Sequence, residues 1–252
     1  MLNKRITSLL AAAIFAASSS AAVAGEITVS AAASLTNAFK ELAEQFEAQH
    51  PDTKVQLNFA GSGALLQQMA KGAPVDVFAS ADQETMDQAE QQNLLAKETR
   101  QDFVRNSLVV ITPADSPLTL NTLADLEADT VQRIAISNPA SVPVGRYTQQ
   151  ALSKSQQWDA LQTKVINTQN VRQSLDYVAR DEVDTGFVYA TDAAIMADKV
   201  KVQFTVPLDV VISYPIAVTK EGAEKTESQQ FVDFIFTPES QKVLSKYGFS
   251  QP

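Results

Sequence analysis

An α/β fold in two lobes is predicted by two observations. Strand and helix patterns alternate along nearly the whole chain, and they fall into two βα series joined by apolar strands at residues 108–111 and 214–219. With 45% apolar residues, the chain has ample material for the cores this requires. The two joining strands are read as crossings that act as a hinge. Each lobe is then a mixed sheet flanked by helices, with a ligand cleft at the carboxyl ends of strands where helices begin. The expected division is a leader over residues 1–24, a first lobe over 25–109 plus 215–252, and a second lobe over 110–214.

The first series opens with a strand at residues 26–31. A helix follows over residues 35–48, with Leu35, Ala38, Phe39, Leu42 and Phe46 on one face. His50-Pro51 ends that helix, because the residue before a proline disfavours the helical region. Residues 55–59 alternate as a strand. Ala60-Gly61-Ser62-Gly63 then leads into a helix carrying Leu65, Leu66 and Met69, which Gly72 closes. A short strand at 75–79 precedes a helix reaching residue 92, with Ser80 and Asp82 as candidate caps. Residues 108–111 form a buried strand that stops at Pro113.

The second series has a short helix at 123–126, a strand at 134–136, a proline-rich loop at 138–145 and a helix from Arg146 to Leu152. A helix at 158–161 and a strand at Val165 and Ile166 follow. Asn170 caps a helix that turns Val171, Leu175 and Val178 inward. Strands at 185–189 and 200–206 flank a short helix that starts near Asp192. After the strand at 214–219, two helices carrying Phe231, Phe234 and Ile235, then Val243, Leu244 and Tyr247, finish the chain.

The N-terminus reads as a cleavable export signal. Lys4 and Arg5 begin it, residues 9–17 are apolar, and Ala22-Val23-Ala24 is a small-residue cleavage pattern, with cleavage expected after Ala24. The apolar stretch is too short to span a bilayer, which takes about 20 residues. Cysteine is absent, which excludes disulfides, thiol catalysis, cysteine metal ligation and a lipidated cysteine at the signal junction. A periplasmic location fits these features. The whole chain carries a formal charge of −9, and without Lys4 and Arg5 the remaining 18 basic and 29 acidic residues give −11. That balance argues against nucleic acid and anionic membrane surfaces as partners. It also means that an anion site has to be built locally.

Four helix starts have the makings of one: Ala33-Ser34-Leu35, Gly61-Ser62-Gly63, Pro143-Val144-Gly145 and Asn170-Val171-Arg172. The first N–H groups of a helix have no intrahelical partner and lie at the positive end of its dipole. Ser34 and Ser62 add hydroxyl donors, and Tyr189 adds a phenol at the end of its strand. Each has a plainer alternative. The serines can be N-caps, Gly61 and Gly63 can serve a tight turn, Val144 and Val171 can be core or loop, and Tyr189 can be packing. Catalysis has little to build on. His50, the single histidine, sits in a turn, no nucleophile elbow appears, and metal-ligand spacing is missing. No enzyme activity, no catalytic residue, no cofactor and no direct metal-ion ligand is expected.

The chain resembles the periplasmic molybdate-binding proteins of molybdate ABC importers, which are type II periplasmic solute-binding proteins. The segments that carry the resemblance are Ala32-Ala33-Ser34-Leu35-Thr36-Asn37-Ala38, Phe59-Ala60-Gly61-Ser62-Gly63, Val75-Asp76-Val77-Phe78-Ala79-Ser80-Ala81-Asp82 and Asn106-Ser107-Leu108-Val109-Val110. Pro143-Val144-Gly145-Arg146-Tyr147, Asn170-Val171-Arg172, Gly186-Phe187-Val188-Tyr189-Ala190-Thr191-Asp192-Ala193, Tyr214-Pro215-Ile216-Ala217-Val218 and Tyr247-Gly248-Phe249 complete the series. The resemblance implies an oxyanion held by Ser34 and Ser62 through hydroxyl and amide, by the amides of Val144 and Val171, and by the hydroxyl of Tyr189. Where this chain has Val144, members of the family often have alanine, and a branched side chain there is expected to crowd the pocket mouth. The glycines around Ser62 replace a serine-rich turn.

The implied function is capture of molybdate, with tungstate, and delivery to a membrane permease with separate ATPase subunits. A receptor for another tetrahedral oxyanion, sulfate or chromate, is the alternative. A monomer is expected, and no P-loop for ATP is present. Asp82 and Asp192 are read as caps or as support behind the pocket rather than as acceptors for a ligand proton.

Overall fold

The computed structural model describes residues 25–96 and 98–252, and the expected leader with its cleavage point lies outside the described residues. The first lobe begins with β1 (Gly25–Ala32), a 3₁₀ turn (Ala33–Leu35), α1 (Thr36–Gln49), β2 (Thr53–Ala60) and α2 (Ser62–Ala70). It continues with β3 (Val77–Ala79), α3 (Gln83–Gln91) and β4 (Gln101–Asn106). The second lobe holds β5 (Leu108–Pro113), a 3₁₀ turn (Leu123–Glu127), β6 (Ile134–Ser137), α4 (Pro143–Lys154), α5 (Trp158–Leu161) and β7 (Val165–Thr168). It ends with α6 (Val171–Ala179), β8 (Thr185–Tyr189), α7 (Ala190–Ile195) and β9 (Val200–Thr205). The chain returns to the first lobe as β10 (Ile212–Val218), followed by α8 (Thr226–Ile235) and α9 (Pro238–Lys246).

Local chemistry sets many of these limits. Asp82 caps α3 by accepting from the Thr85 N–H at 3.1 Å, and Asn170 caps α6 through Gln173 at 3.0 Å. Pro143 and Pro238 sit in the first turn of α4 and α9, where a missing N–H costs nothing. Because Pro143 suits that position, α4 starts earlier than the expected Arg146 and takes Val144 and Gly145 out of the loop. One strand, β4, has no counterpart among the sequence-based expectations. It lies at a sheet edge and buries only Phe103 and Val104, so its period is too weak to read.

The two sheets share one plan. The first runs β2-β1-β3-β10-β4 and the second β7-β6-β8-β5-β9. In the first, β1 pairs in parallel with β2 and β3, and β10 is antiparallel to β3 and β4. In the second, β6 pairs in parallel with β7 and β8, and β5 is antiparallel to β8 and β9. The crossings lie just before β5 and β10: Ser107 alone separates β4 from β5, and residues 206–211 lead from β9 to β10.

The ladders divide the chain slightly differently from the expected lobe limits. Leu108 and Val109 pair with Tyr189 and Val188 in the second sheet, and Ile212 to Tyr214 pair with β4 in the first. A strand bonded on both edges goes to one sheet as a unit. In β10 the register shifts between Tyr214 and Pro215. A proline cannot donate to a ladder and is tolerated at such a bulge.

The face of α1 read from the sequence is buried, with Phe39, Leu42 and Phe46 at 0% exposure. Phe46 meets Phe231 edge-on at 5.2 Å and Phe234 at 5.5 Å, locking α1 to α8. His50 stacks on Phe46 at 4.3 Å, so the single histidine finishes the helix and packs on an aromatic ring. Phe46→Ala is expected to destabilise the protein by about 3–5 kcal/mol, read as a lower midpoint in urea denaturation.

Candidate functional site

In parallel sheets the strands point the same way, and helices begin beyond their carboxyl ends. Here the ends of β1, β2, β6, β7 and β8 lead into the stretches carrying Ser34, Ser62, Val144, Val171 and Tyr189, in that order. All five line one cavity between the lobes. The first two come from the first lobe and the other three from the second.

Ser34 is 3% exposed and lies in the 3₁₀ turn between β1 and α1. Ser62 is fully buried and is the first residue of α2. Neither acts as an N-cap. Leu35 and Gly61 hold the cap positions of α1 and α2, with no side-chain cap bond. The hydroxyls are engaged from behind instead: Ser34 Oγ lies 3.0 Å from Tyr214 Oη, and Ser62 Oγ accepts from the Ala81 N–H at 3.1 Å.

Val144 is the second residue of α4 and Val171 the first of α6, so both N–H groups fall in the first turn, where no intrahelical acceptor exists. Val144 is 1% exposed and its side chain belongs to the hydrophobic core, which keeps it away from the open surface. Tyr189 is 1% exposed, and its hydroxyl is buried without a hydrogen-bond partner among the described residues. Burial, chiefly, pushes that phenol well above its ordinary pKa, so it keeps its proton.

The lining holds no charged side chain. Its polar character comes from hydroxyls and from the positive ends of α2, α4 and α6, a donor set suited to a small anion. The cavity is small, on the scale of one small ligand.

Charges sit one layer back and tie the lobes together. Arg146 on α4 bonds Asp82 at the start of α3, with Nε at 2.8 Å and Nη2 at 2.7 Å. Arg172 on α6 reaches Asn37 Oδ1 at 2.7 Å and the Ser34 carbonyl at 3.2 Å across the cleft, while its Nε holds Asp192 at 2.6 Å. Burial raises the Asp192 carboxyl pKa, and Arg172 pulls it the other way.

Backbone crosses the gap as well, where Gly63 N–H donates to the Ser141 carbonyl at 2.9 Å. A Cβ on Gly63 would lie 2.7 Å from that same oxygen. Gly61 has a φ of −61°, so no left-handed turn requires a glycine there. Both glycines serve the close approach of the second lobe, a role the tight-turn reading did not contain.

Residues 27–250 match the family described as bacterial extracellular solute-binding protein. The chain belongs to that family. Among its relatives, this solute-binding protein is 38% identical over 233 residues to the molybdate-binding protein ModA of Escherichia coli, covering 90% of this chain and 89% of that one. It is 34% identical over 253 residues to ModA of Haemophilus influenzae, covering 98% and 99%. The solved periplasmic molybdate-binding protein of Azotobacter vinelandii matches with a TM-score of 0.78 at 26% identity, covering 90% of this chain and 99% of that chain. These relatives bind molybdate.

Several site features lie outside the sequence-based donor set. Arg146 and Arg172 follow Val144 and Val171 closely in sequence, but only their cross-cleft partners reveal a clamping role. Tyr214 lies immediately before Pro215, and a proline inside a strand pattern is the signal for a bulge that re-aims its neighbour. Gly63→Ala is expected to hold the lobes apart. Calorimetry should read an anion affinity at least roughly 10-fold weaker, the equivalent of about 1.4 kcal/mol, and X-ray scattering should show a larger radius of gyration with ligand than the parent has.

Proposed function

We propose that this solute-binding protein captures molybdate, and tungstate with it, in the periplasm and hands it to the membrane permease of an ABC importer. One observation carries the reading: a small interlobe cavity lined by serine hydroxyls, helix-start N–H groups and an unpartnered phenol, with no acid and no base in its wall. Such a wall is rich in donors and holds no carboxylate to take a ligand's proton. Molybdate and tungstate near neutral pH carry four acceptor oxygens and no proton, and so match it on every side. Hydrogen phosphate brings a proton that needs an acceptor, and sulfate matches in charge but is smaller, leaving donors out of reach. Identity of 38% to a molybdate-binding protein supports ranking molybdate first.

In this reading Ser34 and Ser62 donate from one lobe, and Val144, Val171 and Tyr189 from the other. The bodies that move are residues 25–106 with 212–252, and residues 108–205. The cavity lies between the lobes, so the oxyanion enters as they separate. By bridging both lobes it then favours the closed state. One chain carries the whole site, so a monomer suffices. The leader, cleaved after Ala24, accounts for export, and ATP is used by separate subunits.

Thermal-shift titration with molybdate, tungstate, sulfate and phosphate tests the assignment. Molybdate and tungstate should raise the melting temperature strongly, and stabilisation by sulfate or phosphate alone would overturn it. Losing one donor to a charged oxygen costs about 1.5–3 kcal/mol, so Ser62→Ala, Ser34→Ala and Tyr189→Phe should each weaken molybdate binding roughly 10- to 150-fold in calorimetry. Val144→Ala, which keeps the amide, should change it little.

A further inference from the structure

A serine hydroxyl can donate or accept, so a serine serving a proton-free oxyanion must have its proton aimed into the cavity. The bonds behind Ser34 decide that question. Ser107 N–H donates to Asn106 Oδ1 at 2.9 Å, and a backbone N–H can only donate, which fixes the orientation of the Asn106 amide. Asn106 Nδ2 then donates to Thr191 Oγ1 at 2.8 Å and to Tyr214 Oη at 3.1 Å. Tyr214 Oη is therefore an acceptor towards Asn106 and has its own proton to give. Among the described residues its one remaining partner is Ser34 Oγ, at 3.0 Å. Tyr214 is fully buried, and burial keeps its phenol protonated. Ser34 thus accepts from Tyr214, and its hydroxyl proton is left for the cavity. Ser62 reaches the same state by a shorter route, accepting from the Ala81 N–H.

We propose that Tyr214 is a positioning residue for ligand capture: the chain Asn106 to Tyr214 to Ser34 commits the Ser34 hydroxyl to donation and so favours oxyanions without a proton. The proposal rests on the oxyanion reading above and adds a residue outside the cavity wall.

The test is a double-mutant cycle read by calorimetry with sodium molybdate, using the parent, Tyr214→Phe, Ser34→Ala and the double variant. Tyr214→Phe keeps the ring and removes the hydroxyl. It should weaken binding roughly 3- to 10-fold, and in the Ser34→Ala background the same change should cost less than about 2-fold. An equal cost in both backgrounds would make Tyr214 a packing residue and overturn the relay. Asn106→Ala gives a second cycle that leaves Tyr214 untouched. Its cost should also disappear once Ser34 is alanine, and a cost that persists counts against the relay. A parent that binds another oxyanion instead of molybdate overturns the molybdate assignment, and the cycles then decide the relay with that anion. A parent that binds no oxyanion overturns both.

Discussion

Donors without charge are the constraint around which this molecule is arranged. A chain with excess negative charge has no long-range attraction to offer an anion, so the attraction has to act at hydrogen-bond range. Backbone N–H groups with no partner exist in quantity only at helix starts. To bring several to one point, the helices must begin side by side, and parallel strands do this because their carboxyl ends lie on one edge. In each sheet three neighbouring strands pair in parallel, a fourth runs antiparallel beside them, and a fifth pairs antiparallel with the fourth. The architecture therefore gathers uncharged helix-start N–H groups at one cavity, from a strand plan used twice.

The formal charges near the cleft follow the same logic. Arg146 and Arg172 lie within a turn of the helix starts they belong to, yet neither lines the cavity and both pair with carboxylates. Each is neutralised locally, by Asp82 and by Asp192. The arginines thus serve lobe contact, where their forked geometry suits a carboxylate on one side and carbonyl or amide oxygens on the other. A free cation in the wall would bind many anions by charge alone. Pairing it one layer back leaves shape and proton content to discriminate.

Much of this was legible in the sequence, and the reasons are specific. The strand at Thr185–Tyr189 stands at its expected limits, because it is buried along its whole length, and the helix at Trp158–Leu161 stands at its expected limits as well. The five expected site residues meet in one cavity because each follows a strand end, a regularity visible in the βα alternation. What escaped depended on contacts between distant residues. The serines looked like caps, but Ser34 is separated from Tyr214 by 180 positions, and nothing local announces that bond. The glycines at 61 and 63 looked like a turn, although what requires them is the backbone of another lobe. The edge strand β4 hid because an edge faces solvent and need not alternate.

Val144 and Val171 stand in the first turns of their helices, where what they offer the cavity is a main-chain N–H. Every amino acid except proline supplies that group. Inheritance therefore acts unequally on the pocket. In the proposed site, loss of the hydroxyl at Ser34, Ser62 or Tyr189 removes a side-chain donor. At 144 and 171 a coding change leaves the donor standing and alters only the bulk around it. Those two positions can therefore change side chain while the N–H they present to the cavity is passed on unchanged.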